Sequence, residues 1–189
     1  ASAYALECLQ KTLPVPVIGV IRPSVAAGVA STATKHIAVL GTRGTIQSGA
    51  YQREILQLLP EATLYPVACP LFVPLVEEAF TAHPVARLVV EEYLGPLRGT
   101  PVDTVILGCT HYPLLRILIQ ETLGSHVTIV DSAGSCAAAR VRSRRIAARH
   151  AGGRARRDAG DLSEARRSPS GQARIARAHR AARGGGAGL

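Results

Sequence analysis

The side chains best suited to chemistry lie in one short segment, where Gly108, Cys109, Thr110 and His111 follow an apolar run and precede Pro113. Gly108 lets the chain turn sharply, which places Cys109 near the amino end of a predicted helix. The partial positive charge and free N–H groups of that end favour a thiolate. A thiolate can act as a base or nucleophile, and His111 can hold or relay a proton. The alternative is a buried structural cysteine beside a capping threonine and a surface histidine.

A second turn rich in hydroxyl groups, residues 41–45 (GTRGT), follows another apolar run and opens another predicted helix. Its backbone N–H groups and the hydroxyls of Thr42 and Thr45 would suit a carboxylate or a phosphate. The segment matches neither GxGxxG nor GxxxxGK(S/T), so a dinucleotide or nucleoside triphosphate site is not supported. The alternative is that Thr45 simply caps the helix.

The remaining reactive residue types are more typical of structural roles. Cys69 precedes Pro70 in an apolar turn, Cys8 falls inside a helical pattern that predicts a core position, and Glu77 is either a solvated charge or a cleft residue. The isolated histidines are predicted to lie at the surface or at an edge: His36, His83 and His126. The cysteines form no CxxC pair, so neither a disulfide framework nor a metal site is expected, and a reducing cytoplasm fits best.

The elements that must position these turns alternate between strands and helices. Apolar runs predict five strands: residues 17–21, 36–41, 63–67, 102–107 and 127–130. Helical patterns lie between them: residues 4–13, 25–32, 45–59, 74–80, 85–97 and 113–123. Such alternation predicts an α/β fold with a parallel sheet covered by helices. Ligands of these sheets bind beyond the carboxyl ends of the strands, where both polar turns fall.

Charge divides the chain into two parts. Residues 1–136 carry 8 basic and 10 acidic side chains, whereas residues 137–189 carry 14 arginines and 3 acids. Ala, Arg and Gly supply 37 of the last 53 residues, so this basic tail buries too little apolar surface to be expected to order. We see no signal peptide and no transmembrane segment. The chain contains no Met, which suggests a trimmed start or a fragment.

The sequence resembles glutamate racemase, a cofactor-independent enzyme that makes D-glutamate for peptidoglycan. The matching segments occur in the family's order: ASAYAL at 1–6, PVPVIGVI at 14–21, LGTRGTIQSGAYQ at 40–52, ACPLFVPLVEE at 68–78, DTVILGCTHYPLL at 103–115 and VDSA at 130–133. Relatives that racemise aspartate usually carry a carboxylate at the position of His111, so the resemblance favours glutamate as the substrate.

The resemblance implies a site and a mechanism. In this family two thiols flank the substrate Cα, one removing its proton as a thiolate and the other returning a proton to the opposite face. Cys109 corresponds to the second thiol, assisted by His111. Thr42 and Thr45 resemble the family's carboxylate-binding threonines. Thr110 and His111 would also contact substrate, and Glu77 resembles a further polar member of the site.

The resemblance also implies a domain organisation. The family has two similar α/β lobes, and we expect residues 1–21 to be a remnant of the first and 22–132 to be the second. The family's first thiol, in a Cys-Asn-Thr motif, is expected to precede Ala1, so racemisation by this chain is expected to be impaired. A homodimer is expected when the protein is intact.

We expect residues 133–189 to be disordered or to result from a frameshift, since Ala, Arg and Gly codons are GC-rich. A non-catalytic binding module with a cationic nucleic-acid-binding arm is the alternative. The arm lacks lysine and stacking aromatic residues, which argues against nucleic acid as a partner. A racemase of another amino acid is the nearest enzymatic alternative.

Overall fold

A computed structural model of the chain describes residues 2–15 and 17–141. Its labelled α-helices are α1 (Ser2–Thr12), α2 (Ile21–Ser31), α3 (Arg43–Gln47), α4 (Ala50–Leu58), α5 (Phe72–Glu77), α6 (Pro84–Leu94) and α7 (Arg116–Leu123). Its strands are β1 (His36–Gly41), β2 (Thr63–Ala68), β3 (Thr104–Leu107) and β4 (Thr128–Asp131). Short 3-10 helices cover Phe80–Ala82, Gly95–Leu97 and Tyr112–Leu115, and residues 132–141 are also helical.

The four strands form one parallel sheet in the order β2-β1-β3-β4. Each parallel neighbour requires a crossover, and helices supply every one of them. Side chains of β1 alternate between the two faces of the sheet. Ala38 and Leu40 pack with α5, α6 and α7 on one face, whereas Ile37 and Val39 pack with α2 and α4 on the other. Burial on both faces explains the continuous apolar runs and confirms the predicted α/β class.

The predicted strand at residues 17–21 is wrong. Residues 17–19 adopt no regular structure, and Ile21 is the first residue of α2, where its side chain is buried. A run of five apolar residues fits either a strand or the entrance to a buried helix. Here α2 lies so close to β3 that a methyl group on Gly28 would be 2.6 Å from Ile106 Cδ1.

Two other predicted boundaries require correction. The single helix predicted for 45–59 is divided into α3 and α4, because Gly49 adopts a left-handed conformation with φ of 64° between them. Residues 133–189 were also expected to be disordered or frameshifted, yet residues 132–141 form a helix. The Asp131 carboxylate supports its start by accepting a hydrogen bond of 2.8 Å from the Gly134 N–H.

Ala1–Arg140 forms one compact unit. Everything predicted for the tail beyond residue 141, including its order and its binding to nucleic acid, lies outside the described residues. The predicted boundaries of the two lobes remain predictions. Within residues 2–15 and 17–141, no helix is both long enough and apolar enough to cross a membrane.

Candidate active site

The two polar turns lie at the same edge of the sheet, at the carboxyl ends of neighbouring strands. In β1 and β3, Leu40 pairs with Leu107, so the turn at residues 41–45 and the turn at Gly108 begin side by side. The backbone N–H of Gly108 donates a 2.7 Å hydrogen bond to the carbonyl of Leu40 and extends the ladder into the second turn. Parallel strands align their carboxyl ends, which is why Leu40 and Leu107, 67 positions apart in sequence, meet here.

Gly108 is required by close packing on both sides of the turn. A methyl group at this position would lie 3.0 Å from the Leu40 carbonyl oxygen and 3.2 Å from Cε2 of Tyr51. The first neighbour is backbone and the second belongs to a buried ring, so neither can retreat easily. The slim loop thus allows the Cys109 backbone to stay close to the sheet.

Cys109, His111 and Glu77 form a continuous polar chain across two elements. Cys109 Sγ lies 3.8 Å from His111 Nδ1, and His111 Nε2 lies 3.2 Å from Glu77 Oε1 at the end of α5. With a proton on Nε2 directed at Glu77, Nδ1 would present its lone pair to the thiol. The Glu77 side chain is 60% exposed and that of His111 is 35% exposed, so the chain runs from the partly buried thiol to solvent. The cleft interpretation of Glu77 therefore has geometric support.

Thr42 and Thr45 lie together, but the cap is not the residue expected from the sequence. Thr42 is the N-cap of α3, and its Oγ1 accepts a 3.3 Å hydrogen bond from the Thr45 N–H. The two hydroxyl oxygens are 3.0 Å apart. Thr42 leaves β1 in an extended conformation with ψ of 162°, which is typical of an N-cap residue and explains the difference. Both hydroxyls remain only partly buried beside the Gly108 turn.

Thr110 shares the Cys109 turn, and its side chain is exposed. The structure thus brings the predicted residues together as two groups, one of Cys109, His111 and Glu77 and one of Thr42 and Thr45. The hydrogen bond from Gly108 to Leu40 links the backbones that carry them.

Tyr112 anchors the turn from below and was not predicted as a site residue. Its hydroxyl donates a 2.7 Å hydrogen bond to the carbonyl of Cys69, and its ring packs edge-on against Phe72. Burial, followed by the nearby Cys69 and Cys109 thiols, raises the pKa of Tyr112. Helical spacing in the sequence identifies Tyr112 only as an apolar core residue. Its anchoring role depends on Cys69, which follows β2, and no local sequence pattern reveals that contact.

Cys69 is the structural thiol that the sequence predicts. It is fully buried, and burial raises its pKa to about 12, so it is not available as a base. The core position predicted for Cys8 is wrong, since Cys8 is exposed on α1. Helical spacing places Cys8 on one side of α1, but only the tertiary neighbours determine whether that side is covered.

Comparisons with known proteins agree with this arrangement. A family model described as Asp/Glu/Hydantoin racemase matches residues 1–139. The chain belongs to this family. The glutamate racemase of Geobacter metallireducens is 52% identical to it over 133 residues, which cover 70% of this chain and 49% of that protein. The chain spans about half the length of the curated relatives it matches.

Solved structures show the same similarity. Glutamate racemase isoform RacE1 from Bacillus anthracis is 37% identical, with a TM-score of 0.71 over 76% of this chain and 55% of that one. The glutamate racemase from Francisella tularensis in complex with D-glutamate is 30% identical, with a TM-score of 0.67 over 76% and 54% of the two chains. The resemblance noted in the sequence and the predicted sheet architecture are therefore confirmed, whereas the roles of individual site residues stay predictions.

Proposed function

We propose that this chain supplies one half of a glutamate racemase site, in which Cys109 exchanges a proton with one face of the substrate Cα. The observation that carries the proposal is the Cys109–His111–Glu77 chain beside the Thr42 and Thr45 hydroxyls, at the ends of adjacent strands. The similarity to racemases named for glutamate supports glutamate as substrate. We further propose that the intact protein is a homodimer and supplies D-glutamate for peptidoglycan in the cytoplasm.

The proposed residue roles follow from their chemistry. The Cys109 thiolate takes the Cα proton and becomes a thiol, while the electron pair stays on Cα and delocalises into the adjacent carboxylate. His111 takes the thiol proton through Nδ1 to form the thiolate, and the Glu77 carboxylate then stabilises the imidazolium at Nε2. Hydroxyls of Thr42, Thr45 and Thr110 donate to substrate oxygens, where they oppose the growing negative charge.

Racemisation needs a second acid on the other face of Cα, and one thiol cannot serve both faces. We therefore expect this chain to exchange the Cα hydrogen of only one glutamate enantiomer with solvent. The test is incubation of the full chain with L-glutamate and with D-glutamate separately in heavy water, followed by mass spectrometry of the recovered amino acid. Cys109→Ser should abolish the exchange, because a serine hydroxyl is far less acidic than a thiol.

The matched control is Cys8→Ser, which changes an exposed thiol away from the site and should leave exchange unaffected. Equal deuterium uptake into both enantiomers would contradict the one-face proposal. Unchanged exchange in Cys109→Ser would contradict the role of Cys109. Aspartate offered in competition with glutamate tests the substrate, and we expect glutamate to be preferred.

A further inference from the structure

A buried tyrosine lies directly beneath the turn that carries Cys109. Tyr51, on α4, is 2% exposed and packs among Ile21, Val25 and other residues of the core between α2, α4 and the sheet. Its ring meets the turn so closely that any side chain on Gly108 would contact Cε2 at 3.2 Å and Cζ at 3.4 Å. The ring therefore limits how far the backbone before Cys109 can move toward the core.

A second buried polar group lies on α2. Ser24 is completely buried and lowers the pKa of the Tyr51 phenol. Ser24 Oγ donates a 2.7 Å hydrogen bond to the carbonyl of Val20, the residue immediately before α2.

The electrostatics agree with this placement. Burial is the largest cause that raises the pKa of Tyr51 to about 12, followed by the proximity of the Cys136 and Cys109 thiols, while the contact with Ser24 opposes the rise. The phenol therefore stays neutral at physiological pH. The effect of Cys109 on the pKa of Tyr51 agrees with the position of the ring beneath the Cys109 turn.

We propose that Tyr51 is a positioning residue for Cys109, because its ring supports Gly108 from below. The inference rests on the proposed function in assigning importance to the thiol, but it concerns only where that thiol is held. Tyr51 contacts neither substrate nor reacting atoms and acts through the backbone of the turn.

The test separates the position of the thiol from its role in exchange. The full chain and its variants are treated with iodoacetamide between about pH 6 and pH 10, and alkylation of Cys109 is followed by peptide mass spectrometry. Tyr51→Leu removes the support, so we expect the alkylation rate of Cys109 to change by at least about threefold and its pH profile to be displaced. Tyr51→Phe keeps the ring, so its Cys109 alkylation rate should stay within about twofold of the wild-type rate at each pH.

The control is Tyr65→Phe, which removes a tyrosine hydroxyl that lies 3.1 Å from His36 Nδ1 at the opposite end of the strands. It should leave Cys109 alkylation unchanged. If Tyr51→Leu does not fold, Tyr51→Met is used instead: its flexible side chain presents no rigid ring to Gly108, and a displaced profile is again expected. A folded Tyr51→Leu or Tyr51→Met with the wild-type profile would overturn the proposal.

A deuterium-exchange assay of the same variants distinguishes this inference from the proposed function. If Tyr51 positions the thiol, Tyr51→Leu should lower the exchange rate by about tenfold while Tyr51→Phe retains it. Should Cys109→Ser fail to abolish exchange, the proposed function fails, whereas the alkylation result for Tyr51 still stands. Should alkylation be insensitive to Tyr51, the positioning role fails whatever exchange shows.

Discussion

The two ends of the sheet use polar groups in opposite ways. At the amino end the Asp103 carboxylate accepts hydrogen bonds from the Thr32 hydroxyl at 2.6 Å and from the N–H groups of Ala33 and Thr34 at 2.6 and 2.7 Å. At the carboxyl end, Cys109 and His111 are 3.8 Å apart, and both remain partly open to solvent. The Asp103 carboxylate stabilises the fold because its oxygens already accept hydrogen bonds. Cys109 and His111 keep hydrogen-bonding capacity that a substrate can use.

The largest expected effect is at the carboxyl end, where packing positions the thiol. Gly108→Ala would place a methyl group 3.0 Å from the Leu40 carbonyl oxygen, so the Cys109 turn must shift outward. We expect the glutamate Cα exchange rate to fall by about 100-fold, because such loss is typical of a displacement near 1 Å at a reacting group. Deuterium incorporation measures it.

Gly44→Ala is the matched control for this change, since a methyl group on Gly44 would meet no atom within 4 Å. It alters the neighbouring turn without crowding it and should retain most of the exchange. If both alanine variants lose exchange equally, steric restriction at Gly108 is not what positions the thiol.

The second prediction concerns the amino end. Asp103→Ala leaves Thr32 and two backbone N–H groups without their acceptor, which should destabilise the chain by about 2 to 3 kcal/mol. Urea unfolding followed by circular dichroism measures this change. Glu61→Gln removes only an exposed pair with Lys35 and serves as the control with unchanged stability. A stable Asp103→Ala variant would show that the amino end does not depend on this carboxylate.

The third prediction follows from the acidity of the same group. The hydrogen bonds from Thr32, Thr34 and Ala33 outweigh the effect of burial and lower the pKa of Asp103 from 3.8 to about 2. Asp103 therefore contributes its full stabilisation at pH values above its pKa in the unfolded chain, 3.8, and this stabilisation is lost as the pH falls toward 2. After allowance for solvent screening we expect a loss of about 1 to 2 kcal/mol across that window.

The measurement is the free energy of unfolding at pH 5 and at pH 2.5 for the wild type and Asp103→Asn. The asparagine variant lacks the titrating group, so its stability should fall less over this interval. Parallel losses in the two proteins would assign the acid sensitivity to other carboxylates.

The fourth prediction returns to the carboxyl end, to the outermost member of its polar chain. Glu77→Gln keeps a hydrogen-bond acceptor for His111 but removes the charge opposite its imidazolium. Because the Glu77 side chain is 60% exposed, we expect only about a threefold decrease in the exchange rate. Glu78→Gln, an exposed neighbour, is the control. A decrease in Glu77→Gln as large as that of Gly108→Ala would show that Glu77 acts more directly than its exposure suggests.

The same contrast between the two ends explains what the sequence could predict. The carboxyl-end turns were identifiable because unusual residue types follow continuous apolar strands, and the rule for parallel sheets brings them to one edge. Supporting residues such as Tyr51 and Tyr112 carry no such local signal, since their contacts come from elements distant in sequence. The Asp103 network was missed for the same reason: its donors are about 70 residues away along the chain.

The errors in the predicted elements also have physical causes. The run at residues 17–21 satisfies the composition of a strand, but only tertiary packing determines that Ile21 begins a helix instead. The break between α3 and α4 depends on the left-handed conformation of Gly49, which its sequence permits without requiring. The family resemblance identified Cys109, His111 and the threonines, yet their relative geometry emerged only from the register of β1 and β3.

The smallest effect is expected at Ala79, where the chain leaves α5. Ala79 has a left-handed conformation with φ of 57°, which is unfavourable for a residue with a Cβ atom. Ala79→Gly should stabilise the protein by about 0.5 kcal/mol, since relief of the strain exceeds the added entropy of the unfolded chain.

Ala26→Gly, at an exposed position of α2, should instead destabilise by about 1 kcal/mol. Urea unfolding resolves these opposite signs, and a loss of stability in both variants would mean that Ala79 is unstrained. Exchange of the glutamate Cα hydrogen should be unaffected by Ala79→Gly if Glu77 depends on α5 for its position and not on the turn that follows.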